Sequence, residues 1–357
     1  MQTQVQIPLH KVTESRVTEV DFSELGFAKW TSDHMFSSTW RKGSWSDEKI
    51  MPYGDMLLSP SMLSLHYGQT VFEGMKAYRT DSGEITIFRI EAHHARFNKS
   101  LERMSMPTIS YELFVSAILQ LVSLDAAWVP HGSGSSLYIR PFVFASEARM
   151  GVKVSDEYRF MIITAPSGPY YAQPLSVKVE RTYVRAAEGG TGYAKCGGNY
   201  GAAFYPTALA QAEGYDQVIW TDACSHSYIE EAGTMNLMFV IDGVLLTPPV
   251  SSSVLSGITR DSILKICEAK GLPHEVRRIS LEDLRTALEA GMLTEAFGTG
   301  TAAVVAPITR IGIDGNDFTI GNDEVNSRFM QIFKQELDGI RRGQIEDVWG
   351  WNTLIGG

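Results

Sequence analysis

AEGGTGYAKCGGNYGA, residues 187–202, carries a lone lysine, Lys195, with Gly189, Gly190 and Gly192 before it and Gly197, Gly198 and Gly201 after it. Glycine gives the backbone freedom. A lysine in such a loop is either an incidental surface residue or an amine that must reach something tightly packed. That amine can condense with an aldehyde to form a Schiff base. Tyr200, five residues on, is placed to hydrogen-bond whatever the lysine holds. The stretches on either side decide the fold. SVKVERTYVR (176–185) reads as a strand before the loop, and an alanine-rich run at about 201–213 reads as a helix after it.

Working outward, 357 residues suggest two domains. The net charge of −10 argues against nucleic acid and anionic membranes, whose phosphates need a basic surface. The three cysteines, Cys196, Cys224 and Cys267, form no CxxC pair. They imply neither a disulfide framework nor a zinc site, and a reducing cytoplasm is expected. The opening MQTQVQIPLHKVTES has no apolar core of a secretory signal. No run of about 18 apolar residues is present, so no membrane span is expected.

Short strands and helices alternate through the first half. YRTDSGEITIFR (78–89) predicts a hairpin about Asp81-Ser82-Gly83. Residues 91–104 and 111–128 predict helices, and 157–166 a strand. SLYIRPFVFASE (136–147) predicts a strand with Tyr138 and Arg140 on one face. SGPYYAQP (167–174) is the expected linker between a small domain, 1–166, and a large one, 175–357. In the second half, 216–222, 235–241 and 244–249 predict strands. Asp242-Gly243 marks a hairpin turn, and 258–271 predicts a helix stopped by Gly271. The whole reads as mixed α/β (α+β), with hairpins too frequent for a Rossmann sheet.

Several segments suit chemistry. SGITRD (256–261) ends a loop and opens a helix, a ready anion site as well as an ordinary N-cap. GTGTAA (298–303) predicts a second turn of glycines and hydroxyls able to bind phosphate, or a plain β-turn. EEAGTMN (230–236) places carboxylates just before a strand. A carboxylate beside a pyridine nitrogen keeps that nitrogen protonated. Arg96 shares a helix with His93 and His94, and its planar fork suits phosphate. The two histidines face different ways, so no metal site is expected. No GxxxxGK[ST], HExxH or GxSxG occurs, which disfavours nucleotide, zinc and serine hydrolases. A lysine, two anion nests, an arginine and a carboxylate together are what pyridoxal 5′-phosphate requires.

The chain closely resembles the branched-chain amino acid aminotransferases, fold type IV pyridoxal-phosphate enzymes. The resemblance is carried by FAKWTSDHM (27–35), SLHYGQTVFEGMKAY (64–78), SLYIRP (136–141), KCGGNYG (195–201), EEAGTMN (230–236), VLSGITRDSI (254–263) and FGTGTAA (297–303). It implies two domains with the cofactor at their interface, and transamination from L-leucine, L-isoleucine or L-valine to 2-oxoglutarate by a ping-pong route. It also implies that Lys195 holds the cofactor, Tyr200 bonds its phenolic oxygen and Glu231 faces its ring nitrogen. Arg96, the N–H groups of Ile258 and Thr259, and the Thr301 hydroxyl take the phosphate. Thr234 falls in the cofactor and substrate region, and Tyr138 and Arg140 form a substrate wall. Phe27, Tyr67, Phe72, Tyr170 and Met235 line an apolar pocket, with Thr301 and Ala302 beside the substrate. Met150-Gly151-Val152 matches a loop that completes the neighbouring subunit's pocket, so a homodimer is implied. Where some relatives carry a CxxC pair, this chain has Ala303-Val304-Val305-Ala306, and Cys196 is expected to be a packed residue. The L-specific group is favoured over D-amino acid aminotransferase and aminodeoxychorismate lyase by FEGMKAY and the Tyr138/Arg140 pair. A non-catalytic vitamin B6 carrier and a phosphate-sugar binding module are the rivals outside catalysis.

Overall fold

The computed structural model describes residues 5–171, 173–321 and 328–355; Ala172 of the expected linker lies outside them. The elements of the first half are β1 (His34–Arg41), β2 (Ser44–Pro52), α1 (Leu63–Tyr67), β3 (Thr70–Phe72), β4 (Met75–Arg79), β5 (Ile85–Phe88), α2 (Ile90–Arg103), α3 (Tyr111–Leu124), β6 (Ser136–Ala145) and β7 (Tyr158–Ser167). Then follow β8 (Leu175–Val179), α4 (Gly197–Ala212), β9 (Gln217–Thr221), β10 (Ile229–Ala232), β11 (Met235–Ile241) and β12 (Val244–Thr247). The chain continues through α5 (Ile258–Lys270), β13 (His274–Val276), α6 (Leu281–Glu289), β14 (Leu293–Gly300), β15 (Val304–Ile313), β16 (Asn316–Thr319), α7 (Arg328–Arg341) and β17 (Asn352–Ile355).

Two compact units form, and neither is one continuous segment. The first comprises Met1–Tyr170, Ala194–Gly198 and Asp338–Gly357; the second comprises Tyr171–Tyr193 and Asn199–Leu337. This division differs from the two-segment bounds of the sequence reading. One reason is β17, which pairs antiparallel with β5 and brings the C-terminal stretch onto the first sheet. Trp351 secures it, its ring 5.5 Å from that of Phe88.

In the first unit the strands run β17-β5-β4-β6-β7-β1-β2, with β3 also on β6. The hairpin β4–β5 turns about Asp81-Ser82-Gly83 as its sequence predicts. Helix α3 is capped by the Ser110 hydroxyl, which accepts from the Leu113 N–H at 3.2 Å. It buries Phe114, Ile118 and Leu121 in the same core as Phe97, Leu101 and Phe160. Each such side chain contributes about 1.5–3 kcal/mol. The helix ends four residues before the predicted 128. The Asp125 carboxylate is drawn to His34, whose Nδ1 lies 2.6 Å from it and whose backbone N–H donates at 3.1 Å.

In the second unit β8, β9, β10, β11, β14 and β15 pair in a ring that closes through β10–β11. Closure leaves no free edge in that ring. Its core is Val177, Ile219, Leu237, Phe239 and their neighbours. The β11–β12 hairpin turns at Asp242-Gly243, both at positive φ, +50° and +74°, as a tight hairpin turn requires. Strand β8 stops at Val179, short of the predicted 185. The Glu180 carboxylate accepts the N–H groups of Thr182 and Tyr183 at 2.7 and 3.0 Å and bends the chain away.

After β9, Asp222 knots the next turn. Its carboxylate accepts the N–H groups of Ser225, Ser227 and Tyr228 at 2.8–2.9 Å. Burial opposes its charge, but these donors win and draw the carboxyl from 3.8 down to about 2. Asp222→Ala is expected to destabilise the protein by about 1–3 kcal/mol at neutral pH. A depressed carboxyl contributes stability above its unfolded pKa and loses it as pH falls through the folded one. The deficit should therefore shrink between about pH 4 and pH 2, read from denaturant midpoints. A variant midpoint equal to wild type at pH 7 contradicts this.

Candidate functional site

Each unit gathers part of the residue set. In the first, the backbone of Lys195 is fixed on both sides. Its N–H donates to Ser100 Oγ of α2 at 2.9 Å, and its carbonyl accepts from the Phe72 N–H of β3 at 3.0 Å. Cys196 bridges to Val71 and is buried. The loop that glycines leave free in sequence is thus ordered where it matters. Lys195 Nζ lies 4.8 Å from the centre of the Phe72 ring, and the Arg140 guanidinium lies 4.9 Å from the same ring. Phe72 therefore offers its ring to two cations, each at a favourable distance.

Tyr138 and Arg140 share one face of β6, as alternation predicts. Arg140 Nη2 donates to the Tyr138 hydroxyl at 3.0 Å. Phe27 packs edge-on against Tyr138 at 5.0 Å and against Tyr170 at 4.7 Å. Five of the residues sought, Phe27, Phe72, Tyr138, Arg140 and Tyr170, thus form one chain of contacts. Gly74 makes room for it: a Cβ there would lie 2.0 Å from the Tyr138 hydroxyl oxygen. Tyr67 stands at the end of α1 and donates its hydroxyl to the Met150 carbonyl. Met150 and Val152 are 74% and 82% exposed. An apolar cavity of about 470 Å³ opens beside Phe72 and Arg140, lined also by Met62, Leu65 and Phe142.

Arg96, on α2, is engaged side-on by a carboxylate that the sequence reading did not single out. Its Nε and Nη2 donate to the two Glu73 oxygens at 2.8 and 2.6 Å. Glu73 is fully buried. Burial works against its charge, but Arg96 and then His93 outweigh that and hold its carboxyl far below the usual range. The signal was inside a quoted motif, FEGMKAY, where a glutamate stands among apolar residues.

In the second unit Glu231 stands before the predicted strand, β11, and itself lies in a further short strand, β10. EEAG pairs with β11 through a tight turn at Gly233-Thr234, which buries the carboxylate in the ring of strands. Glu231 Oε2 is 2.6 Å from Arg185 Nε, and Oε1 accepts from Asn236 Nδ2 at 2.9 Å and from the Leu255 N–H at 3.2 Å. Glu230 points elsewhere, taking the Ser253 hydroxyl, and burial pushes its carboxyl up. Tyr200, Glu231 and Thr234 line one small cleft together with Arg185 and Asn199, neither of which the sequence reading named. Asn199 holds the glycine loop, accepting the Thr191 hydroxyl and donating to its carbonyl at 2.7 and 2.8 Å.

Ile258 and Thr259 form the first turn of α5, whose N-cap is Gly257. Their position at a 13-residue helix start suits an anion. The GTGTAA segment departs from prediction. Gly298, Thr299 and Gly300 lie in β14, and the turn is Thr301-Ala302-Ala303. Gly298 serves packing instead: a Cβ on it would lie 2.6 Å from the Met235 Sδ and Cε atoms. Among the described residues no group of acidic, histidine or cysteine side chains could hold a metal, and no helix is long and apolar enough to cross a membrane.

The first unit offers an amine and a buried carboxylate paired with arginine; the second offers another such carboxylate and a helix start of the kind that suits an anion. Comparison with known proteins gives the same direction. The amino-transferase class IV family matches residues 70–311. The chain is 44% identical over 340 residues to "Branched-chain-amino-acid transaminase 1" of Bacillus subtilis (strain 168), covering 94% of this chain and 95% of that protein. It is 42% identical over 342 residues to "Branched-chain-amino-acid aminotransferase" of Mycobacterium tuberculosis (strain ATCC 25618 / H37Rv), covering 93% of each. Among solved structures, the branched-chain amino acid aminotransferase from Escherichia coli superposes with a TM-score of 0.71 at 28% identity, over 90% of this chain and 100% of that one. The branched-chain amino acid aminotransferase of T.th., complexed with N-(5′-phosphopyridoxyl)-L-glutamate, superposes with a TM-score of 0.68 at 26% identity, over 93% and 99%.

Gly257 tests the local geometry. A Cβ there would lie 1.8 Å from Asn236 Oδ1, so the amide that holds Glu231 must move. Gly257→Ala is expected to cost about 1–3 kcal/mol of stability by overpacking, measured by denaturant unfolding. A loss under about 0.5 kcal/mol would show that the Asn236–Glu231 contact is loose.

Proposed function

We propose, for a chain that belongs to the amino-transferase class IV family and within it to the branched-chain-amino-acid aminotransferases, that it moves the amino group of L-leucine, L-isoleucine or L-valine to 2-oxoglutarate. The reaction is reversible and runs in two half-reactions on pyridoxal 5′-phosphate. The observation that carries the reading is Lys195, a lysine in a glycine loop whose backbone is nevertheless pinned on both sides.

The residues present fit that cofactor. Its phosphate calls for Arg96 and for the helix start at Ile258 and Thr259, with the Thr301 hydroxyl. Its ring nitrogen calls for a carboxylate, and Glu231 has the Arg185 cation 2.6 Å away and two hydrogen-bond donors, Asn236 Nδ2 and the Leu255 N–H, to favour its charge. When bound, the cofactor supplies an electron sink for negative charge at the substrate Cα. Lys195 would hold it through Nζ, and that amine, when free, would take up the substrate Cα proton as general base. Tyr200 donates its hydroxyl to the phenolic oxygen. Glu231 would favour a protonated ring nitrogen by opposite charge. Thr234, Thr301 and Ala302 border the substrate. Phe27, Tyr67, Phe72, Tyr170 and Met235 take the branched side chain and exclude water. Arg140, braced by Tyr138, meets the second carboxylate of glutamate.

The homodimer belongs to the same proposal. Met150 and Val152 are largely exposed, and so is Tyr67, whose hydroxyl reaches the Met150 carbonyl. Apolar side chains grouped on a surface mark an interface, and in this reading Met150-Gly151-Val152 completes the second copy's pocket.

Two experiments test the proposal. Adding L-leucine to the cofactor-loaded protein should convert its visible absorbance to the pyridoxamine form, whereas D-alanine should leave it unchanged. A response to D-alanine alone would move the assignment to the D-specific relatives, and none to either would remove transamination. Arg140→Met should lower kcat/KM for glutamate roughly tenfold or more, the worth of a charged hydrogen bond, and leucine turnover much less. Equal losses contradict the role of Arg140.

A further inference from the structure

We infer that Glu73 is a positioning residue, aiming Arg96 at the cofactor phosphate; the inference rests on the reading that Arg96 binds that phosphate. Glu73 stands between β3 and β4 and has little room to swing. Its own N–H donates to the Pro141 carbonyl at 2.7 Å, and its carboxylate accepts the Gly74 N–H at 2.7 Å. Arg96 meets it with Nε and Nη2, one edge of the planar fork. A guanidinium gripped by that edge turns its other edge, Nη1 with the second N–H of Nη2, the opposite way. That second edge is the one suited to an oxyanion.

The surroundings strengthen the grip. His93, one turn before Arg96, places Nδ1 3.2 Å from Glu73 Oε1. Burial lowers its pKa, so the imidazole stays neutral and does not compete with Arg96 for the carboxylate charge. The Ser100 hydroxyl donates to the Arg96 carbonyl at 3.0 Å and accepts the Lys195 N–H. One helix thus carries the arginine and one of the anchors of the lysine. A buried ion pair is a poor source of stability, since apolar residues of the same volume often do as well. Its value here is orientation.

The test uses full-length protein freed of cofactor, titrated with pyridoxal 5′-phosphate and with pyridoxal, which lacks the phosphate, by tryptophan fluorescence. Glu73→Gln should weaken pyridoxal 5′-phosphate at least tenfold and pyridoxal less than twofold. Arg96→Met, measured alongside, should show the same selectivity. Should Arg96→Met be selective and Glu73→Gln weaken both ligands equally or neither, Glu73 is merely structural and the inference falls while the reading of Arg96 stands. Should Arg96→Met itself be unselective, the phosphate role of Arg96 falls and the inference with it. Where Glu73→Gln does not fold, Glu73→Asp keeps the charge, withdraws it by one methylene, and should give the same selective loss.

Discussion

The chain leaves the second compact unit for five residues, Ala194–Gly198, and those five are held by the first. Three backbone contacts do the holding: Lys195 N–H to Ser100, Phe72 N–H to the Lys195 carbonyl, and the bridge of Cys196 to Val71. Glycine before and after the lysine lets the chain make this excursion, and the hydrogen bonds remove the freedom again at Lys195 itself. A reactive amine needs that combination. Its reach is supplied by four methylenes, but its origin must be fixed for the reach to mean anything.

Both units solve the same electrostatic problem in the same way. A carboxylate without solvent is costly unless paired and hydrogen-bonded. Glu73 has Arg96 and a backbone N–H; Glu231 has Arg185, Asn236 and a backbone N–H. In each case the arginine is set by the pairing. Arg185 is fixed further, its Nη2 donating to the carbonyls of Gly192 and Ser253. The loop before Lys195 and the carboxylate therefore share one anchor. Packing enforces the arrangement at Glu231, since a Cβ on Gly257 would strike the Asn236 amide that holds it.

Local patterns were legible in the sequence. The hairpins at 78–89 and 235–249, the helix from 258 and the shared face of Tyr138 and Arg140 all follow from periodicity and turn residues. Features that depend on distant partners were not. Helix α3 stops early because Asp125 belongs to His34, and β17 is four residues whose partner strand, Ile85–Phe88, lies in the first quarter of the chain. Gly298 reads as part of a turn, yet it lies in a strand where Met235 requires its smallness. Arg185 looks like the end of a strand until Glu231 is placed beside it. Motifs name the groups that touch a ligand; Glu73 and Asn236 stand inside such motifs, but which group each of them orients is set by tertiary contacts.

The central claim is that Lys195 holds the cofactor. A rival nucleophile exists in Lys76, a buried lysine of β4 whose amine is pushed down to about 7 by burial and by Arg341. Borohydride reduction of the cofactor-loaded protein, followed by mass mapping of its peptides, separates the two. The account predicts the phosphopyridoxyl mass on the peptide containing Lys195 and on no other. The same mass on Lys76, or spread over surface lysines, would contradict it.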